Sequence, residues 1–406
     1  MRLLPCATDT DADARVAEIG RFCAERIASV VTEPYRSREF PYAAVTEFAE
    51  SGLMGLRVPE EFGGLEASAS AYAMALEDIA AVDVTSALTL EVHVLASELY
   101  RLFGSETQKK QWLPALAGGA ALAGVALTEP DAGSDLRGVR TRARFEGGQW
   151  VLDGRKTLIT NTGTDLSDGL VVLARMDGGG PEDGSGREDG SGREAGGGRK
   201  GGSPGHGTFI VPRGTPGYDV LDRIHTLGWC SMDTRDLAFT DCRIPEGNLL
   251  GTAGEGFAQV MAGLTLGRIA FAAVSVGLAQ ACLDRALAHA KERQQFGRPL
   301  SSFQGVQFQL ADLATEISAA RALVREAARL HDAGPEAEHG SLASQAKLFA
   351  SVTCVRAADR AVQILGGRGC RLDEPASRYY ADAKMLEIGE GTSEMQRLLI
   401  ARTLGC

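Results

Sequence analysis

Apolar positions in the first hundred residues recur three or four apart. Ala14, Val16, Ile19, Phe22, Ile27 and Val30 form one such stripe, and the spacing predicts helices over 12–31, 41–53, 67–82 and 84–103. Between the second and third, LMGLRVPEEFGGLEAS carries Pro59, Gly63 and Gly64, a turn cluster that separates two helices. FGSETQKKQWLPALAGG predicts one more short helix closed by glycines. After Gly124 the pattern shortens. VALTEPDAGSD, TRARFEGGQWVLDGRKTLITN, LVVLARM, GTFIVP and DLAFTDCRIP are short alternating runs divided by Gly, Asp and Pro, which predict a β-domain of about 120 residues. From Gly256 long helices return, over 256–294, 303–332, 340–367 and 392–404. The expected class is mixed α and β, with a helical domain over 1–124, a β-domain over 125–247 and a second helical domain over 248–406.

Composition narrows what such a chain does. At 406 residues it is too long for one compact core. Its formal charge is -11, and no Lys/Arg cluster is interleaved with aromatics, which argues against a nucleic-acid binder. The most apolar region, around 256–283, is interrupted by Arg268, and the apolar segment in MRLLPCATDTDADARV is too short for a secretory signal. A cytoplasmic protein without a membrane partner is expected. The eight cysteines show no C-x-x-C and no short Cys/His spacing, so free thiols and no metal site are expected. Residues 178–207 are low in complexity, with EDGSGR twice in tandem, and predict a disordered loop. GSGREA within it fits the dinucleotide fingerprint formally. That fingerprint needs a strand running directly into the glycines and the glycines directly into a helix, and here polar residues and further glycines flank it.

The chemistry centres on LEIGEGTSEMQRLLIAR. Glu390 lies between Gly389 and Gly391, just ahead of a helix start marked by Thr392 and Ser393; Ser393 to Gln396 has capping-box spacing. Glycines on both sides let the backbone approach a flat ligand while the carboxylate projects into the space so opened. That arrangement suits a general base, although an isolated E-G-T-S also serves simply to complement a helix dipole. In ALTEPDAGSD, Thr128, Gly133 and Ser134 suit a cradle for a phosphate or a polar ring edge. In KERQQFGRPLSSFQ, Arg293, Phe296 and Gln304 offer a cation, an aromatic and an amide. In QILGGRGCRLDEP, Gln363 stands beside Gly366 and Gly367. Each of these loops alone reads equally as an ordinary turn or helix end.

Together, in this order and spacing, LMGLRVPEEFGG, ALTEPDAGSDLRG, LTLGRI, ERQQFGRPL and QILGGRGCRLDEPASRYYADAKMLEIGEGTSEMQRLLIAR resemble the acyl-CoA dehydrogenase family over nearly the whole chain. The resemblance implies an N-terminal all-α domain, a middle β-barrel-like domain and a C-terminal four-helix bundle, assembled as a homotetramer or homodimer with FAD. It implies α,β-dehydrogenation of an acyl thioester, carried by CoA or by an acyl-carrier protein, with an electron acceptor such as an electron-transfer flavoprotein. Carried over by residue, Val125, Leu127, Thr128, Gly133 and Ser134 would line the flavin, Ser134 also reaching the thioester ligand. Leu158, Ile159 and Thr160 would form the second flavin-contact strand. Arg293, Phe296, Gln304, Gln363, Leu365, Gly366 and Gly367 would meet the adenine dinucleotide, part of it belonging to a neighbouring subunit. Thr392 and Glu394 would touch the flavin from the last turn. Arg268, Gly389 and Gly391 would border the substrate, and Glu390 would be the base.

The chain departs from the family pattern beside the active site. Leu158 stands where a tryptophan commonly flanks the flavin, and Gly389 where a tyrosine commonly precedes the base; Arg368 and Cys370 replace aromatics of the glycine loop. Loss of that bulk leaves the acyl group and the acceptor open. A flavin oxidase or monooxygenase on the same fold, and a non-catalytic binding protein, are the alternatives; Glu390 speaks against the monooxygenase and the binding protein.

Overall fold

The structure, a computed structural model, describes residues 11–31, 36–177, 205–334 and 339–406. The expected disordered loop lies, from 178 to 204, outside the described residues. Strand begins again at His206, so the last two residues of the low-complexity stretch are ordered sheet.

The N-terminal helices are α1 (Asp11–Ile27), α2 (Tyr42–Glu50), α3 (Ala69–Ala80), α4 (Val84–Phe103) and α5 (Glu106–Ala117). Local chemistry sets where several begin. Ser68 accepts the Ala71 N–H, Asp83 accepts the Ser86 N–H at 2.8 Å, and Ser105 with Gln108 closes a capping box at α5. The C-terminal helices are α6 (Gly256–Glu292), α7 (Gln304–Asp332), α8 (His339–Leu365), α9 (Pro375–Leu386) and α10 (Ser393–Thr403). The helical spacing did not predict α9. Its inward positions are Ala376, Asp382, Ala383 and Leu386, too small and too polar for an apolar stripe. By length and composition α6 is apolar enough to cross a membrane, but most of that stretch is buried against other helices.

Between the helices, β1 (Val125–Ala126), β2 (Arg142–Glu146), β3 (Gln149–Thr160), β4 (Leu170–Met176), β5 (His206–Val211), β6 (Tyr218–Arg223), β7 (Thr234–Pro245) and β8 (Leu249–Leu250) form one sheet in the order β6-β7-β3-β2-β4-β5-β8. β1 pairs with β4 in parallel beside β2, and the sheet is open at β6 and β8. Where β3 lies against β7 the register shifts between Lys156 and Ile159, and Leu158 there has φ 59°. The bulge turns Leu158 out of the sheet, leaving it exposed on the wall of a cavity.

One hydrophobic core joins α1, α2, α3 and α4 to α6, α7, α8 and α9. The sheet has its own core around Trp150, Phe209 and Phe239. A third cluster, with Tyr100, Trp112 and Ile210, fastens α4 and α5 to the sheet, and the Tyr100 hydroxyl donates to the Gly169 carbonyl at 2.8 Å.

A buried ion pair ties the loop after β1 to β3. Lys156 Nζ donates to Glu129 Oε1 at 2.8 Å and to the Leu127 carbonyl at 3.0 Å, while the Arg140 and Thr141 N–H groups donate to the same carboxylate. Burial opposes ionisation of Glu129, yet the Lys156 ammonium and these donors hold its carboxyl below the usual range. Removing one partner leaves an uncompensated buried charge, which costs about 3–5 kcal/mol. Lys156→Met and Glu129→Gln should therefore each lose about that much unfolding free energy in urea titration, and the double variant should lose less than the two combined. Additive losses would show that the pair does not hold the loop.

Candidate active site

Two cavities meet at Glu390. The first, about 380 Å³, lies among the loop after β1, the bulge of β3, the turn at Trp229 and the turn ahead of α10. Its walls are apolar, from Leu158, Ile159, Met232, Phe271 and Ile388, and its edges carry the hydroxyls of Thr128, Ser134, Thr160 and Thr392. The Trp229 indole N–H is buried there without a partner. Apolar faces, polar edges and a spare donor fit a flat heteroaromatic ring system such as a flavin. The second cavity, about 700 Å³, runs between the loop after β1, α6 and α10, past Arg268, Met261 and Leu399 to the exposed Arg137 and Arg402. Arg137 also sits over the Phe257 ring, 4.7 Å from its centroid.

The turn that presents Glu390 is strained. Glu390 itself has φ 54° and Gly391 φ 91°, so the left-handed backbone falls on the carboxylate residue and the glycine after it, and not on Gly389. Thr392, and not Ser393, caps α10, its hydroxyl accepting from Met395. Gln396 makes no capping box; its side-chain amide turns back to the Glu390 and Gly391 carbonyls at 3.1 and 3.0 Å. Lys347, on α8, donates to the Gly391 carbonyl at 2.7 Å.

Glu390 packs closely on α6. A Cβ at Gly267 would lie 2.9 Å from Glu390 Oε2, so a larger residue there would push the carboxylate from its place. A Cβ at Gly389 would lie 2.6 Å from Phe271 Cε1 and 3.2 Å from Trp229 Cη2. Phe271 and Trp229 meet edge to face, 6.1 Å between centroids. The aromatic volume absent at Gly389 is thus supplied by two residues remote in sequence. Trp229 has φ 56° and is held there by its backbone N–H, which donates to Asp382 Oδ1 at 2.7 Å.

Burial raises the Glu390 carboxyl to about 7, against the opposing pull of the Arg268 guanidinium and the Lys347 ammonium. Its Oε2 is buried without a hydrogen-bond partner. Arg268 is buried on α6 with its Nε unpartnered, and desolvation lowers its own affinity for the proton. A second carboxylate, Glu91 on α4, is fully buried with both oxygens unpartnered; burial, then Glu390, hold it protonated well above the usual range. Sequence reading missed Glu91. The signal was there, a lone acid inside the apolar run LTLEVHVL.

The structure brings Val125, Leu127, Thr128, Gly133, Ser134, Leu158, Ile159, Thr160, Gly389, Gly391 and Thr392 to the first cavity and Arg268 to the second. Glu394 is not among the cavity residues; its side chain is 80% exposed and pairs with Arg397. Arg293 caps the far end of α6, about 37 Å along the helix from Arg268 at 1.5 Å per residue. Near it Phe296, with φ 53°, tips a two-stranded hairpin and is 93% exposed. Gln304 opens α7, and Gln363, Gly366 and Gly367 are exposed at the end of α8, whereas the Leu365 side chain is buried in the helical core. None of these seven reaches either cavity within one chain.

The chain matches the families described as acyl-CoA dehydrogenase N-terminal domain over residues 9–120, middle domain over 124–242 and C-terminal domain over 254–405. It is 39% identical over 384 residues to an acyl-CoA dehydrogenase of Bacillus subtilis (strain 168), covering 94% of this chain and 95% of the relative. It is similar to the structure of butyryl-CoA dehydrogenase from Megasphaera elsdenii, with TM-score 0.89, 32% identity, and 99% and 100% of the two chains covered. It is also similar to a prolyl acyl carrier protein oxidase, with TM-score 0.86, 26% identity, and 98% and 100% covered.

Two expected outcomes follow from this geometry. Gly389→Tyr should displace Phe271 and slow turnover of the preferred substrate, and Phe271→Ala in the same chain should restore part of it; a single variant with unaltered kinetics would show that the contact carries nothing. Because folding raises the Glu390 carboxyl from about 4.5 to about 7, the folded state binds the extra proton and wild-type stability falls as pH rises through that window. Glu390→Gln, which carries no charge, should gain stability over wild type between pH 4.5 and 7 and keep the gain above it. Denaturation curves whose difference is flat with pH would contradict the raised titration.

Proposed function

Since the chain belongs to the acyl-CoA dehydrogenase family, an FAD-dependent oxidoreductase family acting on CH–CH bonds, we propose that it desaturates an acyl thioester between Cα and Cβ, with Glu390 as the base. One observation carries this reading: the Glu390 carboxylate stands where the two cavities meet, with one oxygen buried and unpartnered. An α-proton beside a thioester is only weakly acidic. A carboxylate brought to about 7 by burial is a far better acceptor for it than one in water. FAD, when bound, supplies the acceptor for the hydride from Cβ. The first cavity would hold its ring system between Leu158 to Thr160 and the loop from Val125 to Ser134, and its apolar walls would keep water from the reacting carbons.

The second cavity would take the thioester arm, with Arg137 and Arg402 offering two cations to its phosphate. Such a phosphate occurs both in CoA and in the arm of a carrier protein. The likeness to a prolyl acyl carrier protein oxidase favours keeping the carrier-bound acyl group as a second reading. An electron-transfer flavoprotein is the acceptor that the family suggests. The residues remote from both cavities, Arg293, Phe296, Gln304, Gln363, Gly366 and Gly367, with the backbone of Leu365, would serve cofactor bound in a neighbouring copy, as a homodimer or homotetramer provides. An exposed Phe296, Phe308 and Leu372 on that side of the molecule support such an assembly. A cytoplasmic location belongs to the same proposal, and the free thiols of Cys23, Cys242, Cys282 and Cys354 accord with it.

The test is anaerobic. Purified protein should be yellow with FAD, and one member of a panel of acyl-CoA and acyl-carrier-protein thioesters should bleach it. Glu390→Gln should keep flavin and ligand binding but reduce the flavin at least about a hundredfold more slowly. Equal rates would place the base elsewhere, and peroxide formation in air would favour the oxidase over the dehydrogenase.

A further inference from the structure

The buried face of α8 is built from small residues, Ala343, Ala346, Ala350, Cys354 and Ala357, and one lysine stands among them. Lys347 is fully buried. An ammonium in such a place is costly unless it meets a partner worth the desolvation. The partner the structure gives it is the Gly391 carbonyl at 2.7 Å, one residue beyond Glu390 in the left-handed turn. The same carbonyl accepts from Gln396, so two donors from two helices converge on the strained peptide. Lys347 also stands among the charges around the carboxylate.

We propose that Lys347 is a positioning residue for Glu390, holding the turn through the Gly391 carbonyl and supplying a fixed positive charge that keeps the carboxylate ready to accept a proton. This rests on the reading of Glu390 as the base. The ionisable groups around Glu390 come from every helix packed there: Arg268 from α6 and Lys347 from α8 favour its charge, while Glu91 from α4, itself held protonated, and the Tyr72 hydroxyl of α3 stand in the same field. Glu387 and Glu394 act on Lys347 itself. Burial lowers the Lys347 ammonium to about 8, Glu390 and Glu387 resisting, so it remains mostly protonated at neutral pH. Arg268 sits deep on α6 with an unpartnered Nε, whereas Lys347 donates to the turn carbonyl, so the two cations are not duplicates.

Two substitutions separate the hydrogen bond from the charge. Lys347→Gln keeps a donor and removes the charge; Lys347→Met removes both. In FAD-loaded protein, the pH midpoint of anaerobic flavin reduction by the best thioester should rise by about one unit in Lys347→Gln, a roughly tenfold loss of rate below the midpoint with the plateau nearly kept. Lys347→Met should also lower the plateau, because the turn is released. A second readout does not need the cofactor: the stability gained by Glu390→Gln at pH 7 should be larger in the Lys347→Gln background than in the native one. Coincident midpoints for wild type and Lys347→Gln, or a melting temperature that falls while the midpoint stays, would overturn the proposal and leave Lys347 a structural residue. Should Lys347→Met not fold, Lys347→Gln still decides. Flavin reduction that survives Glu390→Gln would instead remove the base, a different failure from an unmoved midpoint in an enzyme that still needs Glu390.

Discussion

One oxygen of the Glu390 carboxylate is buried without a partner where two cavities meet, and much of the surrounding architecture answers to that one constraint. A buried charge must be paired or hydrogen-bonded, yet a carboxylate paired fully would have no reason to take a proton. The structure lies between these limits. Arg268 and Lys347 approach from two helices, burial works against them, Glu91 stands protonated on a third helix, and Oε2 remains without a hydrogen bond. The balance tilts toward the proton, so the carboxyl titrates near neutrality. Such a balance requires fixed distances, which explains why the turn carrying it is clamped from both sides by Lys347 and Gln396 despite its left-handed backbone.

The opposite wall is set by a different device. Lys156 and Glu129 rivet the loop after β1 to β3, and one residue pair along the same strand the register slips. A slip of register sends a side chain to the other face of a sheet, and here it delivers Leu158 to the cavity. Ion pair and bulge together place two segments, far apart in sequence, on either side of a space fit for a flat ring.

Much of this was legible in the sequence and the remainder has a physical reason for being hidden. Helices with a distinct apolar face, such as α4 and α7, announce themselves by period and α6 by its long apolar run, whereas α9 buries alanines and an aspartate and does neither. Glu390 was visible because glycines bracket it. The left-handed residue proved to be the glutamate and the cap Thr392, since several residue types there satisfy the same local rules. Glu91, Lys347 and Phe271 are defined by what they meet around the Glu390 turn, 44 or more residues away along the chain, which no local pattern encodes. Gly389 reads in sequence as lost bulk; only the fold reveals Phe271 and Trp229 filling the same volume. Arg293 and its companions are assigned to a dinucleotide by resemblance, and their distance from the cavities makes sense only across more than one chain.

The single core uniting α1 to α4 with α6 to α9 bears on how the protein is made. Synthesis proceeds from the N-terminus, so the first helices leave the ribosome well before α6 and α8 exist to cover them. Until then the inward faces of α3 and α4, with Leu76, Ile79, Leu88 and Leu90, have nothing to pack against from the C-terminal half. The pairing of distant segments makes for slow folding, and the sheet, whose core is its own, is free to form first. A nascent chain of this protein is therefore a client for chaperones over the interval in which the sheet stands finished and the helices wait, and a truncation within α8 would leave both helical halves open to aggregation.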